Sequence, residues 1–536
     1  MDADAFADGD VDVDVVVVGG GPVGLFLAAE LGLAGASAAV VEKTGLSARA
    51  NSPALRGVTT RTMRTLALRG LERPVVRAAE QALRELIGTA AGLNPDRAPQ
   101  DDVAGQVTST RLGTGGGTKG HIGMVPLTDP AGEFPDVSLL PVPYAALREV
   151  FFERARGHGV RLVEGRTVVD VEPGPHGVTA YLDDGRAIRA RYLVGADGGR
   201  SVVRRLAGFD FPGTDPTLLA VGGEDVTLLD PEKLPHGFTR TPRGVLMINV
   251  VPGQLVAIEF DAPPADRLSV VTQEELQAAL RRVSGTDVTV SRVRSPFRYS
   301  DNARQSSTYR RGRVLLAGDA AHVHSPFGGQ GVNLGIQDAA NLGWKLARVI
   351  RGSAPCELLD TYTAERHPVA ARVLRNSRAQ AALLRHGPQV DALRELFADL
   401  VELPQAKTML IEMLHALDIV YDQGAPAAHP LVGTFAADLA FAGAGNDTCL
   451  ADGRALLLDA VGSPALREAV AGREDVRWAR GSRPDHSGPA ALLVRPDGYV
   501  AWAGDPGDEQ SSLYEALDHW FGPRATQEVP TAVPVG

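Results

Sequence analysis

A glycine-rich turn near the start of the chain has the residue types and the spacing needed to hold a pyrophosphate. Residues 15–18 are four valines, a β-branched apolar run that predicts a parallel strand buried on both faces. Three glycines follow at the spacing of a dinucleotide-binding turn: Gly19, Gly21 and Gly24. The first permits the tight turn, the second lets the backbone approach a pyrophosphate, and the third lets the next helix pack closely on the sheet.

A helix and an acidic residue complete this predicted nucleotide-binding unit. The helix is expected over residues 22–34, with its N-terminal amides pointing at the phosphates. A second strand, over residues 38–41, ends at Glu42, where an acid would accept hydrogen bonds from an adenosine ribose. Besides the glycines, the cofactor contacts predicted from this unit are Pro22, Val23, Glu42 and Lys43.

A second group of acidic residues and glycines follows a strand predicted over residues 313–317. Asp319 comes after this strand, at the carboxyl end, where ligands bind in open α/β sheets. The segment 326–333, Pro-Phe-Gly-Gly-Gln-Gly-Val-Asn, then leads into a helical pattern that extends to Val349. The amides of residues 331–333 would lie at the start of this helix, where the positive end of the helix dipole stabilises negative charge.

A third segment, between these two in the sequence, also joins a strand to a turn. Residues 192–198, Tyr-Leu-Val-Gly-Ala-Asp-Gly, predict a strand that ends near Asp197, and Ser201 and Arg204 follow. No second glycine-rich dinucleotide fingerprint is found further along the sequence. This argues against a reductase with two dinucleotide-binding domains.

In this order and at these separations, the three segments resemble those of the class A (single-component) FAD-dependent aromatic hydroxylases, the para-hydroxybenzoate and phenol hydroxylase type. The resemblance covers about the first 385 residues and is greatest to bacterial aromatic-polyketide monooxygenases. It implies FAD as the cofactor and NADPH or NADH as the reductant. It also implies that dioxygen adds at the flavin C4a carbon and that the hydroperoxide transfers one oxygen atom to a (poly)cyclic aromatic or polyketide substrate.

The same resemblance implies roles for individual residues. Asp319 would hydrogen-bond the ribityl chain of FAD, and Asp197 would lie near both FAD and the nicotinamide. Either Arg49 or Arg56 would contact FAD, because the chain keeps two candidate arginines but departs from the family pattern around them. The residues implied beside the flavin ring are Pro326, Gly328 and Gly329 at the reacting edge, and Gly331, Val332 and Asn333 at the pyrimidine edge.

Two histidines near Asp319 could in principle act as bases. His322 and His324 lie beside the cofactor turn, and we interpret them as hydrogen-bonded structural histidines. We therefore assign no catalytic acid or base, since in this class the cofactor carries the difficult chemistry. The segment 362–368, Tyr-Thr-Ala-Glu-Arg-His-Pro, has a counterpart in the family that is usually structural.

Composition narrows the compartment and the partners. The net charge of −11 opposes binding to nucleic acid or to an anionic membrane, and no apolar run approaches the roughly 20 residues that span a bilayer. The N-terminus lacks the features of a signal peptide, so we predict a cytoplasmic enzyme, with a homodimer left open. Cys356 and Cys449 have no metal-ligand spacing; no metal is expected, and both are predicted to be small core residues.

The predicted fold class is α/β, with a Rossmann-like FAD-binding domain, an inserted β-sheet substrate domain and a C-terminal thioredoxin-like domain. Residues 1–10 are expected to be a disordered tail, and residues 113–123 a mobile loop. The ranges expected for the domains are 11–80, 140–206 and 300–385 (FAD-binding), 81–139 and 207–299 (substrate), 386–429 (helical connection and linker) and 430–525 (thioredoxin-like). The last module has no Cys-x-x-Cys, which leaves packing or assembly as its role.

Other functions fit part of the same sequence. A Baeyer–Villiger monooxygenase would use the same flavin adduct as a peroxide anion that attacks a polycyclic ketone or quinone. A dehydrogenase or a halogenase is more distant, and the Trp-x-Trp-x-Ile segment of related halogenases is not found. A flavin-binding sensor without catalysis is disfavoured by the complete cofactor apparatus.

Overall fold

The computed structural model describes residues 12–45, 55–90, 117–249, 253–262, 269–422, 429–436, 450–481, 488–505 and 510–523. Within these ranges there is no helix that is both long enough and apolar enough to cross a membrane. The same ranges contain no cluster of histidine, cysteine and carboxylate side chains that could hold a metal ion. Arg49, Cys449 and the N-terminal tail lie outside them.

A mixed sheet forms the centre of the N-terminal part of the chain. Its strands are β1 Val13–Val18, β2 Ala38–Glu42, β7 Arg161–Glu164, β8 Val168–Pro173, β9 Val178–Leu182, β10 Ala187–Gly195, β20 Arg310–Arg311 and β21 Val314–Leu316. Five of them are parallel, in the order β21-β10-β1-β2-β7, and β20, β9 and β8 are antiparallel additions. The predicted strands of all three sequence segments are adjacent in this sheet, and the Rossmann-like α/β fold is confirmed.

Helices pack around this sheet, and small residues let two of them approach each other closely. The helices are α1 Pro22–Leu33, α2 Thr60–Leu68, α3 Glu72–Ala90, α4 Tyr144–Gly157, α5 Val202–Leu206 and α7 Gly331–Ile350. A Cβ atom at Gly335 of α7 would lie 2.5 Å from a methyl of Val23, and one at Gly343 would lie 2.6 Å from Glu30. These glycines allow α1 and α7 to pack together, and each of these two helices begins at one of the predicted cofactor segments.

A second, antiparallel sheet has the order β14-β15-β16-β12-β18. Its strands are β12 Leu218–Glu224, β14 Gly237–Thr241, β15 Gly244–Ile248, β16 Leu255–Phe260 and β18 Ser295–Ser300. The strands predicted over residues 218–222, 244–250 and 255–260 are confirmed where the structure describes them. Helix α6, Gln273–Ser284, covers the outer face; the hydroxyl of Thr272 caps its start and left-handed Gly285 ends it.

A hairpin and two helices form a further layer. Strands β4 Thr118–Ile122 and β5 Val125–Thr128 pack on α9 Pro388–Val401 and α10 Pro404–His415, with α8 Asp360–Leu384 beside them. The expectation of a loop over residues 113–123 is therefore wrong for Thr118–Ile122. Gly120 and Gly123 adopt positive φ angles of 138° and 54°, which allow an irregular strand and turn that a glycine-rich composition alone does not distinguish from a loop.

The C-terminal module is a four-stranded sheet with two helices. Its elements are β23 Ala455–Asp459, β24 Val476–Arg480, β25 Ala491–Val494, β26 Val500–Gly504, α11 Pro464–Ala469 and α12 Gln510–Phe521. β23 pairs in parallel with β24 and antiparallel with β25, and a turn over residues 496–498 leads to β26. The three strands predicted here are confirmed, and the thioredoxin-like assignment stays a prediction.

Charged side chains fill the contact between this module and helices α7 and α8. Arg495 donates to both carboxylate oxygens of Glu365, at 2.5 and 2.9 Å, and Lys345 donates to Glu365 at 2.8 Å. Asp497 accepts two further hydrogen bonds from Arg495. Burial alone would raise the pKa of Glu365, but the charges of Arg495 and Lys345 outweigh it and lower this pKa to about 2. The predicted structural role of the segment 362–368 is confirmed.

Short elements complete the described chain. They are β3 Leu55–Thr59 with β6 Leu139–Pro143, β11 Gly213–Thr214 with β19 Ala303–Gln305 and β22 His322–Val323, β13 Thr227–Leu228 with β17 Val290–Arg292, and the 3-10 turns Pro231–Lys233, Gly318–Ala320, Phe327–Gly329 and Cys356–Leu359. Cys356 is exposed, so its predicted place in a core is wrong. It is the first residue of a 3-10 turn between α7 and α8, in which the buried residues are Leu358 and Leu359.

Candidate cofactor and substrate site

Four predicted binding residues lie at the carboxyl ends of four neighbouring parallel strands. Gly19 follows β1, Glu42 ends β2, Asp197 follows β10 and Asp319 follows β21. Backbone hydrogen bonds of 2.8 to 2.9 Å join the neighbouring strand ends at this edge. Segments that are more than a hundred residues apart in the sequence therefore meet at the edge where ligands bind in open α/β sheets.

The three glycines of the first turn have different environments. A Cβ atom at Gly19, where φ is +111°, would lie 2.4 Å from the carbonyl oxygen of Ala196, and one at Gly24 would lie 2.0 Å from that of Gly19. A Cβ atom at Gly21 would meet only the Tyr144 hydroxyl, at 3.1 Å. The first and third glycines are thus required by packing, whereas the second keeps an open surface beside the start of α1.

Glu42 is buried and holds the glycine turn in place. Its carboxylate accepts hydrogen bonds from the backbone amide of Gly20 at 2.6 Å and from the amide and hydroxyl of Thr44. Arg148 of α4 donates to the carbonyl oxygen of Gly20, also at 2.6 Å. Sequence reasoning missed Arg148, because nothing in the amphipathic pattern of α4 shows that a charged residue turns inward. Lys43 is exposed next to Glu42.

Asp197 has one oxygen engaged and one without a protein partner. Its Oδ2 accepts the backbone amides of Val202 and Val203, at 2.6 and 3.2 Å, and so caps the start of α5. Its Oδ1 is buried, and the described residues offer it no hydrogen bond. A buried oxygen in this state at a sheet edge is suited to a ligand that donates a hydrogen bond.

Arg204 joins the Asp197 segment to the Asp319 segment. Its guanidinium donates to the carbonyl oxygens of Ala320 and Gly199, each at 2.8 Å, and lies 3.7 Å from the centre of the Phe211 ring. Burial lowers the pKa of Arg204, and the negative charge of Asp197 opposes this shift only in part. Arg204 therefore connects the two segments that are predicted to bind the cofactor, and this contact explains why it belongs to the sequence motif.

Asp338, which sequence reasoning also missed, fixes the turn that carries Asp319. Its carboxylate accepts hydrogen bonds from the Gly318 amide at 3.1 Å and from Arg366 at 2.8 Å, and it lies 2.7 Å from Nε2 of His322. Burial by itself raises the pKa of Asp338, but the charges of His322 and Arg366 lower it. The interpretation of His322 as a hydrogen-bonded structural histidine is confirmed.

His324 lies beside the start of α7. Its Nδ1 donates to the carbonyl oxygen of Ser325 at 2.7 Å, and its Nε2 lies 3.6 Å from where a Cβ atom of Gly331 would be. Burial lowers the pKa of His324, although the charge of Asp319 favours the protonated form. Burial thus favours the neutral form of this ring, which lies beside Gly331.

The loop before α7 is held by side chains and leaves Gly329 facing open space. The Asn333 side chain accepts the amide of Thr59 at 2.9 Å and donates to the carbonyl oxygens of Gly57 and Gly329, at 2.7 and 2.9 Å. A Cβ atom at Gly329 would have no neighbour within 4 Å. The first N–H groups of a helix have no partner within it, so the amides of residues 331–333 lack an intrahelical partner at the start of α7.

Asp319, Pro326 and Arg56 are exposed. Asp319 makes no side-chain hydrogen bond to the parts of the chain that the structure describes. The guanidinium of Arg56 lies 5.4 Å from the centre of the Tyr144 ring, whose hydroxyl is the neighbour of Gly21. Arg56 is therefore next to the open surface of the glycine turn, while Arg49 is outside the described residues.

These features fit the two ends of FAD. The open surface at Gly21 and the amides at the start of α1 fit a pyrophosphate, and the amides at the start of α7 fit a flavin edge that becomes negative on reduction. Asp319 and Oδ1 of Asp197 supply acceptors between these two ends. The fold and the site define a dinucleotide-binding flavoprotein with a second sheet beside its flavin end.

Comparisons with known proteins agree with this class. A family model described as an FAD binding domain matches residues 12–377, and one described as the C-terminal domain of aromatic-ring hydroxylases matches residues 429–524. The 12-dehydrotetracycline 5-monooxygenase/anhydrotetracycline 6-monooxygenase of Streptomyces rimosus is 38% identical, over 95% of this chain and 99% of its own length. A rifampicin monooxygenase of Streptomyces venezuelae is also 38% identical, over 95% of this chain and 98% of its own.

A solved structure gives the same result. The anhydrotetracycline hydroxylase from Streptomyces rimosus has a TM-score of 0.80 and 36% identity, covering 96% of this chain and 100% of its own. The chain belongs to the FAD-dependent aromatic hydroxylase family and is a flavoprotein monooxygenase.

Proposed function

We propose that this protein hydroxylates a polycyclic phenol of the aromatic-polyketide kind, with FAD, NADPH or NADH, and dioxygen. The observation that carries the proposal is the inner face of the five-stranded sheet. This face is apolar and aromatic, and it packs against Phe327, in the loop that contains the reacting edge implied by the family resemblance. The relatives named above act on anhydrotetracycline and rifampicin, which are both polycyclic.

Alternation along the strands gives the sheet two different faces. Val221, Leu246 and Ala257 point outward and pack with α6. The inner face contains fully buried aliphatic residues next to Phe327, and half-buried larger side chains that extend beyond them: Met247, Phe260, Phe297 and Tyr299. Met124, in the turn of the β4–β5 hairpin, packs against the same cluster. Half-buried aromatic and methionine side chains supply a large, adaptable contact area for a flat apolar ligand.

One glycine makes this inner face flat. The Phe297 ring lies over Gly222, where a Cβ atom would come within 2.6 Å of the ring. The Phe297 and Tyr299 rings are nearly parallel, at 15°, with their centres 6.3 Å apart. Without a side chain at Gly222, the two rings lie close to the sheet and form an aromatic wall beside the cofactor loop.

The chain itself supplies orientation, exclusion of water and electrostatic stabilisation. The amides at the start of α7 would stabilise negative charge at the adjoining edge of the cofactor. FAD, reduced by the nicotinamide, supplies the activation of dioxygen. Gly328 and Gly329 both adopt positive φ, and this backbone conformation would let the loop adjust to a flavin bound beside it.

Stopped-flow reduction by NADPH and by NADH tests this function. The panel contains anhydrotetracycline, rifampicin, hydroxyanthraquinones and anthracenols, with toluene as an aromatic that has no hydroxyl group. We expect slow reduction without substrate and a sharp rise with a polycyclic phenol, because a ligand shifts flavin position only through a differential contact. Equal rates with all compounds and with none would contradict the proposal.

The Baeyer–Villiger alternative gives the same increase in product mass but a different product. Carbon NMR separates them: hydroxylation leaves the ring carbonyls in place and adds a phenolic carbon, whereas insertion converts a ketone carbonyl into an ester. We expect the phenolic product. The sequence predicts a cytoplasmic location and leaves a homodimer open; cell fractionation tests the first and light scattering the second.

A further inference from the structure

The β4–β5 hairpin brings a histidine to the inner face of the five-stranded sheet, at the edge strand opposite the aromatic wall. The His121 ring meets the ring of Phe238, on edge strand β14, at 63° with their centres 5.8 Å apart. Phe238 is paired with Met247 in the sheet, so both side chains belong to the inner face. His121 therefore lies beside the space that the substrate would occupy.

The two nitrogen atoms of this ring are in different situations. Nδ1 is fully enclosed and has no hydrogen-bond partner among the described residues. Nε2 is not enclosed, and the half-buried ring makes no hydrogen bond to the described chain through this atom either. An open imidazole nitrogen that makes no hydrogen bond can accept one from a ligand, so Nε2 is the atom available to a partner that is not part of the chain.

The backbone on both sides of His121 is held firmly. The carbonyl oxygen of Lys119 lies 2.8 Å from Nε2 of His415 in α10, and the amide of Gly123 donates to Gln380 of α8 at 3.1 Å. The Lys119 side chain donates to the carbonyl oxygen of Val137 at 3.1 Å. These contacts fix the hairpin but none involves the imidazole, which is pre-organised yet unsatisfied.

The surroundings of His121 favour its neutral form. Burial lowers its pKa, and no charged side chain contributes to the shift. The titratable groups that face the hairpin are Lys119 with Asp129 on the hairpin itself, His415 on α10, Arg240 of β14 with Asp391 of α9, and Arg394 of α9, which donates to the carbonyl oxygens of Gly123 and Leu383. Both charged pairs are satisfied internally. Tyr299, on the inner face at the opposite edge strand, stays protonated because burial raises its pKa.

We propose that His121 Nε2 binds a hydroxyl group on the aromatic substrate and accepts its proton during oxygen transfer. This inference rests on the proposed function and narrows the substrate to one that presents a free hydroxyl at the hairpin. The O–H bond breaks, an N–H bond forms, and the electron pair stays on the oxygen, which makes the ring more electron-rich. The imidazolium returns the proton to the product oxygen.

A binding experiment tests the contact without turnover. The probes are 2-hydroxyanthraquinone and its methyl ether, titrated into the FAD-loaded enzyme and followed by the flavin absorbance. We expect wild type to prefer the hydroxyl compound by about tenfold or more, which corresponds to one hydrogen bond of about 1.4 kcal/mol. The variant His121→Phe should bind both equally. A preference that is equal in wild type and variant, or no binding by wild type, would overturn the inference.

Turnover tests the proton transfer. For the panel phenol that wild type hydroxylates, His121→Gln should lower kcat/KM by about 10²-fold and remove the acidic limb of its pH profile. FAD content should not change, which shows that the variant is folded and loaded. His176→Gln, an exposed histidine between β8 and β9, is the matched control and should behave as wild type.

These outcomes separate the inference from the function on which it rests. If wild type hydroxylates a phenol and His121→Gln keeps both its rate and its pH profile, the inference is wrong and the proposed function stands. If wild type hydroxylates no phenol of the panel, both are wrong.

Discussion

Two regions of the molecule differ in how their polar groups are bonded. One is the contact between the C-terminal module and helices α7 and α8, and the other is the groove at the carboxyl ends of the parallel strands. In the contact, Glu365 accepts hydrogen bonds from Arg495 and from Lys345, and all three side chains are buried. In the groove, Asp319 is exposed and Oδ1 of Asp197 has no partner among the described residues. Charged residues are abundant in both regions, so only their partners distinguish the two.

This difference distinguishes polar groups that stabilise the fold from polar groups that are available to bind a ligand. A buried ion pair satisfied by the chain fixes how two modules pack, and removing one partner leaves an uncompensated charge. An acceptor left open at a sheet edge costs stability unless a ligand supplies the donor. Changes in the contact should therefore affect unfolding, and changes in the groove should affect cofactor content.

The largest effect is expected from Arg495→Met. This change leaves Glu365 and Asp497 buried with too few positive partners, and breaking a buried pair in this way costs about 3–5 kcal/mol. Urea unfolding followed by circular dichroism measures it. The matched control is Arg186→Met, an exposed arginine paired with Asp184, which should change the free energy of unfolding by less than about 0.5 kcal/mol. Equal stabilities of the two variants would contradict the role of the buried network.

Gly21→Val should weaken FAD binding in the groove without unfolding the protein. Its Cβ atom would meet only the Tyr144 hydroxyl, so the chain can fold, but the branched side chain would occupy the surface predicted to face the pyrophosphate. We expect FAD affinity to fall by more than about tenfold, or 1.4 kcal/mol. Flavin released by acid and measured by absorbance gives the content. Gly157→Ala, at an open helical position, is the control, and a fully loaded Gly21→Val would argue against this placement of the pyrophosphate.

Acid should weaken the contact through Glu365. Its folded pKa of about 2 is below the ordinary value of 4.5, so its contribution is complete above pH 4.5 and is lost as the pH falls toward 2. Compared with Glu365→Gln, wild type should lose stability more steeply below pH 4.5, by up to about 1.4 kcal/mol per pH unit. Urea midpoints between pH 5 and pH 3 measure the slopes. Parallel slopes would show that Glu365 does not carry this dependence.

Asp319→Asn tests the groove with the smallest change. The exposed carboxylate has no partner to lose in the described chain, so the apoprotein should unfold as wild type does. FAD affinity should fall by about tenfold, which is the loss of one charge-assisted hydrogen bond. Fluorescence titration of apoprotein with FAD measures it, and an unchanged affinity would remove Asp319 from the cofactor site.

The sequence predicted the strands and turns of the groove because its glycines and acids have local reasons to be where they are. Gly19 requires positive φ, and the apolar runs before Gly19, Asp197 and Asp319 read as buried strands. Arg148 and Asp338 were missed, since their partners lie far away in the sequence and a charged residue in a helix gives no sign of turning inward.

The hairpin at Thr118–Ile122 was also missed, for a different reason. Its stability comes from contacts with α10 and α8, through His415 and Gln380, and not from its own composition. Glycine-rich sequences predict loops when only local preferences are considered, and tertiary contacts override them here. The same contacts hold His121 beside Phe238, so this residue could not be found from the sequence.

The central claim is that the protein transfers an oxygen atom to a substrate beside the groove. Isotope labelling tests this claim directly. The enzyme is incubated with NADPH, a responsive polycyclic phenol of the panel and ¹⁸O₂, and the product is analysed by mass spectrometry. Hydroxylation predicts a product with one atom of ¹⁸O, bound to a ring carbon. A product without ¹⁸O, formed while NADPH is consumed, would show that the groove holds a flavin for a different reaction.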